Sequence, residues 1–124
     1  LSENQSGWDW FSLSFIDGAK LMGFRLRQTE TTPFTAATWI APNGRTQHYP
    51  NGAFSAEPLA TYDVAGRQVP TTWRVMLPER GLELEVRAVN PDAWMDVSIP
   101  YWEGPVFATG SHQGTGYLEM TGYE

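Results

Sequence analysis

Short runs of alternating apolar and polar residues, each ending in a turn signal, constrain the fold of this sequence more than any other feature. Residues 9–16 (DWFSLSFI) lead into Asp17-Gly18, a dipeptide that favours a two-residue β-hairpin. Residues 82–88 (LELEVRA) alternate strictly, which is typical of a strand with one buried face and one wet face. About eight such runs follow one another at spacings of about 10–15 residues. The pattern therefore predicts consecutive antiparallel strands.

The turn residues between these runs predict the fold class. Twelve Gly and nine Pro punctuate the chain and disfavour long helices. Hairpins that follow one another without long crossovers favour a meander, and closing the meander into a barrel removes exposed edges. We expect an all-β, antiparallel barrel of about eight or more strands, forming a single domain over residues 1–124. Residues 50–70 carry the least regular pattern and are interpreted as a loop or lid.

Composition excludes several classes of function. The net charge of -6 and the thin spread of eight basic residues argue against binding to nucleic acid or to an anionic membrane. The chain has no Cys, and His48 and His112 lie far apart without a ligand pattern, so neither a metal site nor a cofactor is expected. No apolar run reaches the 18 residues of a membrane span.

Two carboxylates that stand among aromatic residues are the candidate catalytic groups. In the run GWDWF, Asp9 lies between Trp8 and Trp10, and a carboxyl group desolvated by indole rings suits general acid chemistry. In the run YWEG, Glu103 follows Trp102 and is a candidate acid or hydrogen-bond acceptor in a cavity. A purely structural interpretation is open for each. Asp9 would bond to the backbone at the start of its strand, and Glu103 would pair with Arg25 or Arg74.

Large aromatic residues and one arginine form the candidate ligand-binding set. Aromatic side chains dominate cores and apolar pockets alike, so the set can serve as core or as cavity wall. Its members are Trp8, Trp10, Arg25, Trp39, Trp73, Tyr101, Trp102 and Tyr117. The step Gly104-Pro105 inside YWEGPVFATG predicts a strand with a β-bulge.

Three long motifs resemble a known family. GWDWFSLSFIDGAKLMGFRLR, YWEGPVFATG and GTGYLEMTGY look like the C-terminal half of the AttH/CrtC-like proteins, which are lipocalin-like and include carotenoid 1,2-hydratases. The resemblance covers nearly the whole chain in matching order. It implies a lipocalin-like (calycin-type) barrel, an upstream lipocalin-like domain in the same protein, and a secreted or periplasmic location.

The resemblance also implies kinds of chemistry. Hydratases of this kind protonate an isolated C=C bond, which needs a carboxylic acid in an apolar cavity. Fungal relatives guide cycloadditions by shaping a pocket around the substrate. The sequence departs from the hydratases in one region, because Phe24 and Arg25 stand where an essential acid is expected.

Three functions follow from these observations. The first is a lipocalin-like domain that binds an apolar small molecule and contributes to a hydratase- or hydrolase-like reaction, with Asp9 or Glu103 as the acid. The second is a structural or interaction barrel without an active site. The third is a pocket-shaping cyclase domain. Carbohydrate binding through exposed Trp residues is a minor further alternative.

Overall fold

The structure, a computed structural model, describes residues 5–95 and 101–123, and within them the chain is almost entirely β. Ten strands follow one another, and a 3-10 turn at Pro78–Arg80 joins the sixth to the seventh. The strands are β1 (Gln5–Phe15), β2 (Lys20–Gln28), β3 (Phe34–Ile40), β4 (Thr46–Tyr49), β5 (Ser55–Val64), β6 (Arg67–Leu77), β7 (Leu82–Ala88), β8 (Trp94–Met95), β9 (Tyr101–Gly110) and β10 (Gly114–Thr121).

All strands belong to one antiparallel sheet that curls into a half-barrel. Its order is β4-β3-β2-β1-β10-β9-β7-β6-β5, and the short β8 pairs with β9 beside this path. Most neighbours in the sheet are also neighbours in sequence, as the series of hairpins predicted. There are two exceptions: β9 pairs with β7, and at the centre β1 and β10 pair from Asp9–Met120 to Phe15–Gly114. The all-β, lipocalin-like fold expected from the sequence is confirmed.

The concave face of the sheet is filled by large side chains. Phe11, Phe54 and Trp73 are fully buried, and the Trp73 and Phe11 rings meet edge to face with centroids 5.3 Å apart. Phe54 lies directly over Gly23, where an added Cβ would come within 2.3 Å of the Phe54 ring. Because each such side chain removes a large apolar area from water, this face is the principal source of stability. The interior is therefore a packed core, and the clefts of the described structure lie at its margins.

The interpretation of residues 50–70 as a loop or lid is wrong. This segment contains all of β5 and the first residues of β6, joined by a tight turn at Ala65-Gly66. Its pattern looked irregular because β5 is an edge strand, where Pro58 costs little and the register shifts between Pro58 and Ala60. A strand with one free edge and a bulge does not keep the alternation of an inner strand.

The predicted bulge at Gly104-Pro105 is also wrong. β9 pairs with β10 in continuous register, with Gly104 opposite Leu118 and Pro105 opposite Tyr117. On its other side, the ladder with β7 ends at Val106, so the missing N–H of Pro105 interrupts no ladder bond. The Pro105 carbonyl still accepts a hydrogen bond from the Val89 N–H, at 2.9 Å.

In the part of the chain that the structure describes, no helix has the length and apolar character needed to cross a membrane.

Candidate functional site

A hairpin places the candidate acid Asp9 opposite Arg25. The turn is centred on Asp17, so the residues eight positions before and after it, Asp9 and Arg25, become cross-strand partners in β1 and β2. Both lie on the concave face, since Asp9 alternates with the outward-facing Trp8 and Trp10. Arg27 lies two residues beyond Arg25 and therefore on the same face.

The carboxylate of Asp9 is fully buried and accepts hydrogen bonds from three side chains. The Nε atoms of Arg25 and Arg27 donate to Oδ2 at 2.9 and 3.2 Å, and the hydroxyl of Tyr123 donates to Oδ1 at 2.9 Å. A buried carboxylate needs such partners, because an unpaired charge would be very costly in the interior. As placed, Asp9 is an ion-paired acceptor rather than a proton donor.

The two arginines use their remaining donors differently. Arg25 donates from Nη1 to the Ala56 carbonyl at 3.0 Å, and its guanidinium lies 4.9 Å from the ring centroid of Trp73. Arg27 donates from Nη2 to the Thr121 carbonyl and lies 4.0 Å from the ring centroid of Tyr123. Arg25 therefore joins the β1–β2 hairpin to β5, whereas Arg27 joins it to the end of β10. We call Asp9, Arg25, Arg27 and Tyr123 the Asp9 network.

Burial raises the pKa of the Tyr123 phenol well above its usual range, and the neighbouring Asp9 carboxylate raises this pKa further. Arg27 and Arg25 act in the opposite direction with smaller effects. Tyr123 thus keeps its proton in the folded protein at a pH where an unfolded tyrosine, with a pKa of about 10, loses it. Its hydrogen bond to Asp9 persists under those alkaline conditions.

This pKa shift predicts a pH dependence of stability. A group whose pKa is raised on folding contributes stability that is complete below the unfolded pKa and is lost as the pH rises above it. We therefore expect the wild-type protein to lose about 1 kcal/mol through Tyr123 between pH 10 and 11, and Tyr123→Phe to remove this loss. Urea denaturation of both proteins at pH 9, 10 and 11 measures the difference. A difference in unfolding free energy that stays constant over this range would contradict the assignment.

A cleft of about 300 Å³ opens beside the Asp9 network. Arg25 lines it, with its side chain 12% exposed, and the buried ring of Phe54 forms part of the wall. Its other lining residues come from the beginning of β3 and the residue before it, from the loop between β4 and β5, and from the beginning of β5; they are Pro33, Thr35, Gly52, Ser55, Ala56 and Glu57. The cleft thus combines apolar surface from Pro33, Phe54 and Ala56 with two hydroxyl groups, one carboxylate and one guanidinium.

The second candidate acid lies on the opposite face of the sheet. Glu103 is half-buried on the convex face and stands opposite Glu119 of β10. Arg25 pairs with Asp9, and Arg74 lies opposite Glu85 and Glu57, so neither arginine fills the partner role considered for Glu103. Asp9 and Glu103 do not share a site.

The convex face carries half of the candidate ligand-binding set. Trp10 and Tyr117 line a shallow groove of about 590 Å³ together with Ser12, Met95, Glu103, Gly104 and Pro105. Tyr117 is 54% exposed, which excludes the core position considered for it. Trp8 and Tyr101 are half-buried on the same face.

The remaining aromatic residues of the set belong to the core. Trp73 and Trp102 are fully buried, and Trp39 stacks on Phe15 with centroids 5.7 Å apart. The indole N–H of Trp102 donates to the Pro91 carbonyl at 2.9 Å. Of the whole set, Arg25 is the member whose side chain bonds to Asp9, and Trp73 lies against the Arg25 guanidinium.

Sequence reasoning missed Arg27 and Tyr123 as members of the network. Arg27 carries a usable signal, since it shares the face of Arg25 and the hairpin register brings both near Asp9. Tyr123 carries none, because it follows the last strand and reaches Asp9 only through the pairing of β10 with β1.

Comparison with known proteins places these features in a family context. The sequence profile described as AttH-like matches residues 1–123. A crystal structure from Nitrosomonas europaea, described as a candidate AttH, has the same fold with a TM-score of 0.88 and 31% sequence identity. The match covers 99% of this chain and 40% of the related one, so the present chain spans less than half of that protein. Among curated proteins, no sequence matches this chain significantly.

Proposed function

We propose that this chain, which belongs to the AttH-like family, binds an apolar small molecule in the cleft beside the Asp9 network. The observation that carries the proposal is the meeting of an apolar wall with a fixed guanidinium. Phe54 and Ala56 supply apolar surface, and Arg25 is held in place by Asp9 and by the Ala56 carbonyl. A donor that is already held by the protein loses little conformational freedom when a ligand binds.

The geometry favours binding over catalysis. The only carboxylate of the network, Asp9, is engaged by two arginines and a tyrosine, so protonating a substrate would require that it release these partners. Glu103 lies across the sheet from the cleft, on the convex face. We therefore propose a binding role for this cleft.

A cleft-filling variant tests the proposal. Ser55 is half-buried in the cleft, and Ser55→Trp should fill the space that a ligand needs. We expect the neutral dye N-phenyl-1-naphthylamine to bind the wild-type protein saturably and to bind Ser55→Trp about tenfold more weakly. Dye fluorescence, which rises in apolar surroundings, gives both affinities. The matched control is Ser14→Trp, an exposed position on the convex face of β1, which should bind as the wild type does. Equal binding by all three proteins, or no saturable binding, would refute the proposal.

A further inference from the structure

The Asp9 network has a net charge of +1, because it contains two guanidinium groups and one carboxylate. Two guanidinium groups, those of Arg25 and Arg27, contact a single carboxylate. Within the described residues these are the only ion pairs that either arginine makes. Tyr123, the fourth member, is neutral when protonated. In a partly buried place, an unbalanced charge attracts an ion of opposite sign more strongly than it would in water.

Only one of the two arginines meets the cleft. Arg25 lines it, whereas Arg27 lies against the Tyr123 ring and the end of β10. A guanidinium has five N–H donors. The contacts of Arg25 in the described part of the chain use three of them, toward Asp9, the Ala56 carbonyl and, at 3.4 Å, the Tyr123 hydroxyl. Two donors thus have no partner among the described residues, on a side chain that lines the cleft.

The walls of the cleft define the rest of the ligand. Phe54, Pro33 and Ala56 supply apolar surface, and a volume of about 300 Å³ is at the lower end of the range for small-molecule sites. This space suits a short apolar body with a single polar group. A surplus of one charge suits a monoanion, and the planar fork of a guanidinium suits a carboxylate.

We propose that the ligand of this cleft is an apolar monocarboxylic acid, bound as its carboxylate by Arg25 with its hydrocarbon part against Phe54. This inference rests on the function proposed above and adds the chemical class of the ligand. Arg25 acts as the anion-binding group, and Asp9 holds it in position.

One acidic residue at the cleft repels an anionic ligand. Removing its charge should therefore strengthen the binding of a carboxylate, which gives a second test of the inference. Glu57 lines the cleft from β5, but it is exposed and stands opposite Arg74 on β6. Its charge is therefore screened by water. Glu57→Gln should strengthen carboxylate binding slightly and leave the binding of a neutral analogue unchanged.

Decanoate and 1-decanol test the inference, since they share a hydrocarbon chain and differ in the charged group. Calorimetric titration of the protein at the full length its cell produces should give an affinity for decanoate at least about tenfold above that for 1-decanol. Arg25→Met should abolish this preference. Because Arg25→Met also leaves Asp9 with one ion pair fewer, Arg25→Lys provides a second variant that keeps the charge. It should reduce the preference without abolishing it, since an ammonium lacks the planar fork.

Arg27→Lys is the matched control. Arg27 is on the same strand and pairs with the same carboxylate, but it does not line the cleft, so the preference for decanoate should persist. Equal affinities for decanoate and 1-decanol, with no response to Arg25, would overturn the inference and leave the proposed function standing. If neither compound binds and the neutral dye also fails, the proposed function falls with it.

Discussion

Replacing Asp9 with Asn is expected to lower the free energy of unfolding by about 3–5 kcal/mol, the usual cost of removing one partner from a buried ion pair. The substitution keeps the shape of the side chain, so no cavity adds to the effect. It leaves two guanidinium groups, those of Arg25 and Arg27, facing each other with no counter-charge between them. Repulsion between these two groups and their incomplete hydration together account for the lower free energy of unfolding.

An exposed ion pair on the same sheet gives the control for this prediction. Arg87 and Glu85 contact each other at 2.6 Å, but their side chains are 54% and 43% exposed. We expect Glu85→Gln to cost less than about 1 kcal/mol, because water screens an exposed pair. Urea denaturation at pH 7 measures both variants. If Asp9→Asn proved as mild as Glu85→Gln, the network would contribute little to stability and its charges would be solvated.

The second large effect is expected at Gly116. In β10 this residue approaches β1 so closely that an added Cβ would lie 1.9 Å from the Ser12 carbonyl oxygen and 2.9 Å from the Leu13 Cα. These are backbone atoms, which cannot move aside as a side chain can. Gly116→Ala should therefore force β10 away from β1 and cost about 3 kcal/mol, as overpacking in a tight site does. The smaller unfolded-state entropy of Ala offsets less than about 1 kcal/mol of this.

The neighbouring residue in β10 provides a control. It tests whether the loss of stability at Gly116 comes from the spacing of the two strands or from substitution in general. Thr115 is exposed on the convex face, and Thr115→Ala should change stability by less than about 0.5 kcal/mol. Thermal unfolding of the two variants gives the comparison. A Gly116→Ala protein as stable as Thr115→Ala would mean that the two central strands can separate without loss.

The hairpins were predictable because their signals are local. Asp17-Gly18 marks the first turn, but its loop has three residues, 16–18, rather than the two expected from the sequence. A two-residue loop would pair Asp9 with Leu26, so the pairing of Asp9 with Arg25 depends on a loop length that the sequence did not predict. In β2, Arg25 and Arg27 face the packed side, and Met22, Phe24 and Leu26 lie on the other face.

The wrong predictions concern residues whose structure depends on where their strand lies in the sheet. β5 tolerates Pro58 because it lies at an edge, and β9 tolerates Pro105 because the β7 ladder ends beside it. Neither of these positions can be predicted from the residues around the proline. Tyr123 was missed for the same reason, since its contact with Asp9 spans 114 positions.

The candidate site was only partly predictable. Asp9 and Glu103 both stand beside tryptophans, and adjacency in sequence made them look alike. Burial distinguishes them, because Asp9 alternates with the convex-face Trp8 and Trp10, whereas Glu103 lies on the convex face itself. Which face of a strand becomes the packed one depends on the curl of the whole sheet, and this exceeds what a short pattern can specify.

The central position of β1 and β10 has a consequence for the order of biosynthesis. β1 is the first of the ten strands to leave the ribosome, yet one of its two neighbours in the sheet is β10, the last. Until β10 emerges, β1 has an unpaired edge of eleven residues that alternates in the manner of an aggregation-prone strand. A nascent chain halted before residue 114 would present this edge to other chains, and it would lack Tyr123. The edge of β1 at the middle of the finished sheet thus stays open to pairing with other chains until β10, the last of the ten strands, has been made.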